Sequence, residues 1–157
     1  MSVVFYRIDD RLIHGQVMTG WSKVYQATRI FVVDDKTAQD QFLCQVMKMA
    51  VPRDYDVHIY TVEQALEAIA NDPPELRTIV LAKTPDVMQR LLEGGAPMKE
   101  LNLGGMGYVA GRKMILRNIQ VSPAELEQLQ AIAAKGVRVF CQIVPDGKCI
   151  EIDKVKL

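Results

Sequence analysis

The chain reads as an α/β protein: an open, mostly parallel twisted sheet of about six to seven strands with helices on both faces. Three observations predict this. Strand-like and helix-like patterns alternate about five times along the 157 residues. The strand-like runs, such as Ile30-Phe31-Val32-Val33 and Thr78-Ile79-Val80-Leu81-Ala82, are apolar throughout rather than alternating, as expected of strands covered on both faces. Helix-opening signals follow several of these runs closely: Thr61-Val62-Glu63-Gln64, Thr84-Pro85 and Ser122-Pro123-Ala124-Glu125.

Taken in order, the first strand spans roughly Val3 to Ile8. From Gly15 a helix carries Val17, Met18, Trp21, Val24 and Tyr25 on one buried face. Arg29 to Val33 is the second strand; Asp34-Asp35 ends it, and Asp35 is placed to cap a helix with the stripe Phe42, Leu43, Val46, Met47 and Ala50, stopped by Pro52. The third strand is Asp56 to Tyr60. The capping box at Thr61 opens a helix with Ala65, Leu66 and Ile69 inward, and Asn71-Asp72-Pro73-Pro74 breaks it. Thr78 to Ala82 is strand four. The next helix buries Met88, Leu91 and Leu92 and closes at Gly94-Gly95. Leu101-Asn102-Leu103 is a short fifth strand running into Gly104-Gly105-Met106-Gly107. Arg112 to Arg117 and Asn118 to Val121 read as short strands or an antiparallel excursion. A helix with Leu126, Leu129, Ile132 and Ala133 inward ends at Gly136, Val137 to Val144 is the last strand, and the polar remainder from Pro145 is expected to be peripheral.

Residues 1–157 fit one domain, long enough to bury a core unaided. Nineteen basic residues balance nineteen acidic ones, which argues against a nucleic-acid or membrane footprint. The longest uncharged runs, about eleven residues as in Leu12 to Ser22, are too short to span a bilayer, and the first residues show no export signal. Cys44, Cys141 and Cys149 are odd in number and never in a CxxC pair, which suits a reducing cytosol. No His/Cys spacing suits zinc.

The stretch Arg7-Ile8-Asp9-Asp10-Arg11-Leu12-Ile13-His14-Gly15-Gln16-Val17 organises the rest. It reads as the turn between the first strand and the first helix, and after Ile8 it packs two carboxylates, an arginine, a histidine and a glycine where an ordinary turn needs only a glycine or an Asx residue. In open α/β sheets, ligands bind off the carboxyl ends of strands where the strand order reverses. Three unusual loops fall at such ends: the His14 loop, Lys83-Thr84, and Gly104 to Gly107. If strands one and four are neighbours across the switch point, all three converge on one crevice. His14, at a helix N-terminus that favours a bound anion, is the expected centre of the chemistry. Arg11 is placed to neutralise phosphate oxygens with its fork, and Asp10 to accept the other ring N–H. Gly15 and Gln16 open the helix where backbone amides meet a phosphate, the Gly104-Gly105 loop is a second phosphate cradle, and Thr84 is a cap whose hydroxyl also faces that edge. Plainer readings stand beside these. His14 as a mere cap with an Asp10–Arg11 surface pair, the glycines as a tight strand connection, and His58 as a satisfied core residue all fit the same residues. The glycines lack GxGxxG or P-loop spacing, so a dinucleotide or ATP site is not expected.

The motif Arg-Ile-Asp-Asp-Arg-Leu-Ile-His-Gly-Gln-Val resembles that of the IIB component of the mannose/sorbose/fructose-type permeases of the bacterial phosphoenolpyruvate-dependent sugar phosphotransferase system. The likeness runs through nearly the whole chain, in Gly20-Trp21, Val32-Val33-Asp34-Asp35, Lys83-Thr84-Pro85, Leu92-Glu93-Gly94-Gly95, Leu101-Asn102-Leu103-Gly104-Gly105-Met106 and Val137 to Pro145. The resemblance implies a cytoplasmic phosphocarrier, peripherally associated with the membrane permease and needing no cofactor. His14 matches the phosphorylated histidine, with Nδ1 the expected nitrogen, and Arg11 and Asp10 match the active-site loop. It further implies a IIA protein or domain as phosphoryl donor, membrane IIC and IID components with their bound sugar as the receiving side, and a possible homodimer. Gly107-Tyr108, where many relatives carry a histidine or phenylalanine, and the tail from Pro145 to Leu157 depart from the pattern. Two rival readings use the same loop: a stand-alone small phosphohydrolase with His14 as base or nucleophile, which requires a deeper pocket, and a non-catalytic anion- or nucleotide-binding module.

Overall fold

The computed structural model describes residues 2–15 and 17–157. Strands β1 (Val3–Asp9), β2 (Arg29–Val33), β3 (Asp56–Tyr60), β4 (Thr78–Ala82), β5 (Glu100–Gly105), β8 (Arg138–Cys141) and β9 (Ile150–Glu151) form a seven-stranded sheet in the order β3-β2-β4-β1-β5-β8-β9. Every neighbouring pair is parallel except β8–β9. The expected class of open, mostly parallel sheet with helices on both faces is what the chain forms.

Burial shows why continuous apolar runs were needed. In β2, Ile30 and Val32 face one layer and Phe31 and Val33 the other; in β4, Ile79 and Leu81 oppose Val80 and Ala82. Helices α4 (Val62–Ala70), α5 (Pro85–Glu93) and α6 (Pro123–Ala134) cover one face with Ala65, Ile69, Met88, Leu91, Leu129 and Ile132. The capping boxes at Thr61/Gln64 and Ser122/Glu125 are both formed. Helix α5 has proline in its first turn, but Thr84 makes no side-chain cap hydrogen bond. The second face is covered by the segment after the His14 loop, through Val17, Met18 and Trp21. β6 (Lys113–Leu116) and β7 (Ile119–Val121) pair as an antiparallel excursion, turned at Asn118 with φ +65°.

Four expectations need correction. The first helix is a π-wound turn over Val17–Trp21 running into the short α1 (Ser22–Val24). The wider π winding shifts the phase away from α spacing, so Val24 faces out while Tyr25 stacks on Phe5 at 4.4 Å, and α1 closes in a Schellman-type end with Gln26 at φ +52° and Ala27 N–H on the Ser22 carbonyl. The expected helix after Asp34-Asp35 is two: α2 (Asp35–Ala38), capped by Asp34, and α3 (Gln41–Met49), capped by Asp40. That break sets the phase of α3 so that Phe42 and Met49 are 76% and 84% exposed, while Met47 packs inward. Asp35 instead accepts from Val62 N–H and Arg90. His58 lies on the edge strand β3, half exposed and paired with Asp56 at 2.9 Å. The tail is not peripheral: β9 closes the sheet edge, and the 3₁₀ turn Ile152–Lys154 buries Ile152 in the core.

The contrast between α3 and the tail gives a stability prediction. Ile152→Ala should lower the unfolding free energy by about 2–5 kcal/mol, whereas Phe42→Ser should change it by no more than about 0.5 kcal/mol. Urea titrations of the two variants against the parent check both.

Candidate functional site

Strand order places β1 between β4 and β5, so the loop leaving β1 sits at the carboxyl edge with Lys83-Thr84 on one side and the end of β5 on the other. Chain direction reverses its walk across the sheet here, which is where open α/β sheets form a crevice.

The loop is built by Asp9. Its backbone carbonyl accepts from Leu12 N–H at 2.9 Å, closing a tight turn, and its Oδ1 accepts from Arg11 N–H at 3.1 Å in an Asx turn. Leu12 completes the turn at φ +57°, a left-handed conformation that costs a leucine on the order of 1 kcal/mol and is held by burying its side chain. That kink aims the Leu12 carbonyl at His14, whose Nδ1 lies 2.8 Å away. A carbonyl only accepts, so Nδ1 carries a proton in this arrangement. The Nε2 nitrogen is buried and faces Asp9 Oδ2 at 3.4 Å, within ion-pair range but not aligned as a hydrogen bond. The His14 side chain as a whole is 16% exposed.

Asp9 itself has no exposed surface, yet it meets three cationic or basic groups. Arg11 Nε donates to Oδ1 at 3.0 Å and Arg11 Nη2 to Oδ2 at 2.9 Å; Arg7 Nη2 donates to the same Oδ2 at 3.0 Å. Burial pushes the Asp9 carboxyl upward, but the Arg11 hydrogen bonds and the charges of Arg7 and His14 outweigh it and hold it below the ordinary carboxylate range.

Asp10 does not orient the ring. Its Oδ2 accepts from Gly107 N–H at 2.7 Å and ties the loop to the segment after β5. The neighbouring carboxylate, Asp9, faces His14 instead. The reason is strand alternation: Arg7 and Asp9 point to one face of β1, and Asp10 starts the turn away from it. That i, i+2 pairing was the signal in the sequence that could have selected Asp9.

Gly104 and Gly105 are buried in β5, packed against the Arg7 and Asp9 side chains. A Cβ at Gly104 would overlap the Arg7 guanidinium, and one at Gly105 would meet Asp9 Oδ1 at 2.8 Å. These glycines make room for the charged pair under the loop. Gly15 is exposed beside His14, with open space where a side chain would be. Thr84 lies at the carboxyl edge of β4, its hydroxyl unused as a cap. Gln16 lies outside the described residues.

Next to Arg11 lies an open hollow of about 340 Å³ bordered by Asp10, Tyr108, Asn118 and Gln120. The larger hollow of about 520 Å³ sits at the amino end of β8, around Gln130, Arg138 and Ile152, away from His14. Among the described residues, His14 borders neither of these two hollows. Among the described residues, no helix is long and apolar enough to cross a membrane.

Comparison with known proteins agrees with this geometry. Residues 3–156 match the family model described as the PTS system sorbose subfamily IIB component. The chain is 32% identical over 145 residues to the N-acetylgalactosamine-specific phosphotransferase enzyme IIB component 1 of Escherichia coli (strain K12), covering 92% of each chain. The crystal structure of the N-acetylgalactosamine-specific IIB component 1 from Escherichia coli superposes with a TM-score of 0.89 at 31% identity, over 94% of this chain and 97% of that one. A fructose-specific EIIB component of Bacillus subtilis (strain 168) is 32% identical over 92% of this chain and 90% of its own length. The mannose-specific EIIAB component of Escherichia coli (strain K12) is 31% identical over 88% of this chain, which spans 43% of that protein. An exposed histidine loop at the switch point, the matching fold and the matching sequence over nearly the full length have one consequence: this chain belongs to the sorbose-subfamily IIB components of the phosphotransferase system, which transfer phosphoryl groups in sugar uptake.

Proposed function

We propose that residues 1–157 act as one IIB domain at the cytoplasmic face of a sugar permease, with His14 as the phosphoryl carrier. His14 takes the group from a phosphohistidine on a IIA protein or domain and yields it to a sugar held by membrane IIC and IID components. The observation that carries this is the His14 ring, set between the Leu12 carbonyl and Asp9 on an open edge beside Arg11. The mannose-specific EIIAB relative, as its name says, joins an A and a B component, which supports IIA as the donor.

The nucleophile is Nδ1, because Nε2 is walled off by Asp9. In the reacting tautomer the ring has turned off the Leu12 carbonyl, its proton sits on Nε2 facing Asp9, and the Nδ1 lone pair attacks phosphorus. The donor P–N bond breaks and its electron pair returns to the donor nitrogen. A donor ring protonated on its far nitrogen leaves as neutral imidazole, and His14 becomes a phosphoimidazolium with Nε2–H on Asp9. Onward transfer reverses these roles: the pair returns to Nδ1, the sugar oxygen takes the phosphoryl group, and the hydroxyl proton leaves to water or a base beside the sugar. Exchange between two imidazoles is nearly isoenergetic, so alignment and neutralisation of the three equatorial oxygens are what the protein supplies. Arg11 does the second by turning its fork from Asp9 to the phosphoryl group. The main chain at Gly15 lets the group approach closely, and Asp10 keeps the loop pinned to Gly107.

Incubation with phosphoenolpyruvate, the general phosphotransferase proteins and a cognate IIA should add one acid-labile phosphoryl group to the intact mass, and His14→Ala should add none. An unlabelled parent chain beside a IIA shown to be phosphorylated in the same tube would overturn the carrier reading. Arg11→Ala should still accept the group, but about 10²–10³-fold more slowly, read by rapid quench. Asp9 also predicts an acid dependence. Its folded carboxyl titrates below the unfolded one, so its stabilisation is complete above the ordinary value of about 4 and is lost as the pH falls through the depressed value. Asp9→Asn should lower stability at pH 7 by about 3–5 kcal/mol, since it strips the buried Arg7 of its counter-charge, and should flatten the dependence of urea midpoints on pH below about 4.

A further inference from the structure

Beneath the loop lies a charge that the transfer step as described does not use. The Arg7 side chain has no exposed surface, in the central strand between Tyr6 and Ile8. Burial pushes its guanidinium down to about 10, partly offset by Asp9, so it remains charged at neutral pH. An apolar residue would suit this strand position better, since burying an ion pair is a poor route to stability. The fold nevertheless makes extensive provision for it. Nη1 donates to Asn102 Oδ1 at 2.5 Å and to the Gln142 carbonyl at 3.3 Å; Nη2 donates to the Ile143 carbonyl at 3.1 Å and to Asp9 Oδ2. Asn102 is itself fixed by donating Nδ2–H to the Gln142 carbonyl at 3.1 Å. The Trp21 ring lies 5.3 Å from the guanidinium carbon, and Gly104 leaves the channel the group occupies. Three of the four acceptors are neutral, so Arg7 keeps its place whatever happens at Asp9.

We propose that Arg7 is a positioning residue for phosphoryl transfer: it keeps Asp9 fixed and charge-balanced against His14 Nε2 when Arg11 leaves Asp9 for the phosphoryl oxygens. The inference rests on the His14 carrier reading. Asp9 Oδ2 is shared by Arg7 and Arg11 and also faces His14, so the two arginines are alternative partners for one anion. A phosphoryl group brings about two negative charges to His14. With Arg7 in place, Arg11 can turn to it without leaving a buried carboxylate unpaired. Without Arg7, Asp9 and the phosphoryl group compete for Arg11.

The test compares the parent chain with Arg7→Lys, Arg7→Met and Asn102→Ala, each first checked for cooperative melting. Asn102→Ala keeps Arg7 but removes one of its anchors, so the question stays answerable should both Arg7 variants fail to fold. Phosphorylated IIA is the donor; the rate and equilibrium of transfer, the lifetime of the phosphorylated chain, and the ring-nitrogen and Asp9 carboxyl NMR titrations of the free chain are read. We expect transfer slower by about 10–100-fold, the range seen when a partner that orients a reacting ligand is removed. We also expect a shorter phosphohistidine lifetime and displaced His14 and Asp9 titrations, with Arg7→Lys nearer the parent than Arg7→Met. Folded variants that melt lower but transfer at the parent rate, with both titrations unmoved, would make Arg7 purely structural and overturn the inference. Absence of label on the parent chain sinks the carrier reading instead, and this inference with it.

Discussion

A carboxylate removed from water must find its compensation inside the protein, and Asp9 is where this chain commits to that constraint. It ends β1, closes the turn with its carbonyl, shapes the turn with Oδ1, and gathers Arg7, Arg11 and His14 around Oδ2. Much of the nearby sequence follows from accommodating it. Gly105 is small because a Cβ would crowd Asp9; Gly104 is small because Arg7 has to reach Asp9 from below. Asn102 and the carbonyls of Gln142 and Ile143 accept from the two terminal nitrogens of the guanidinium, and Trp21 donates to the same Ile143 carbonyl at 2.9 Å. Residues far apart in sequence are thus tied to one buried charge.

The topology makes that possible. With β1 flanked by β4 and β5, and β5 by β8, the carboxyl ends of three consecutive neighbours β1, β5 and β8 lie side by side under the loop. Just past the end of β8 the carbonyls of Gln142 and Ile143 have no neighbouring strand to pair with, and here they become a polar lining for Arg7. On the far side, Arg112 bridges the Gly107 carbonyl at 2.7 Å and the Glu125 carboxylate in the capping box of α6. The loop that Asp10 pins to Gly107 is therefore braced against a helix terminus.

Much of this was legible in the sequence, and the exceptions share a cause. Strands β2 and β4 match the expected spans because an apolar run buried on both faces carries its own signal, the edge strand β3 matches because the box at Thr61 closes it, and that box and the one at Ser122 fix two helix starts by local chemistry alone. His14 and Arg11 stood out because no ordinary turn needs them. What the sequence did not display were relations set by three-dimensional phase. The π turn after the loop rotates Val24 outward, the break at Asp40 exposes Phe42, and the choice between Asp9 and Asp10 depends on which face of β1 each side chain meets. Gly104 and Gly105 illustrate this most clearly. Read along the chain they resemble a phosphate cradle, whereas in space they are absences of side chain that let Arg7 and Asp9 meet.

The sharing of Asp9 also bears on how strongly a carrier should hold its cargo. A group that must arrive and leave with little change in free energy is poorly served by a site with two uncommitted arginines, since each charge-assisted contact to a phosphoryl oxygen deepens the bound state. Arg7 is withdrawn into the sheet on three neutral acceptors, and Arg11 already has a partner in Asp9. In the proposed cycle, Arg11 gains the phosphoryl group only by giving up Asp9, so the net change is the difference between two ion pairs rather than the full value of one. The histidine is treated the same way, since its Nδ1 exchanges the Leu12 carbonyl for phosphorus. Both reactive groups start the cycle with a competing partner, a condition that keeps transfer reversible while the buried pair beneath holds the geometry constant.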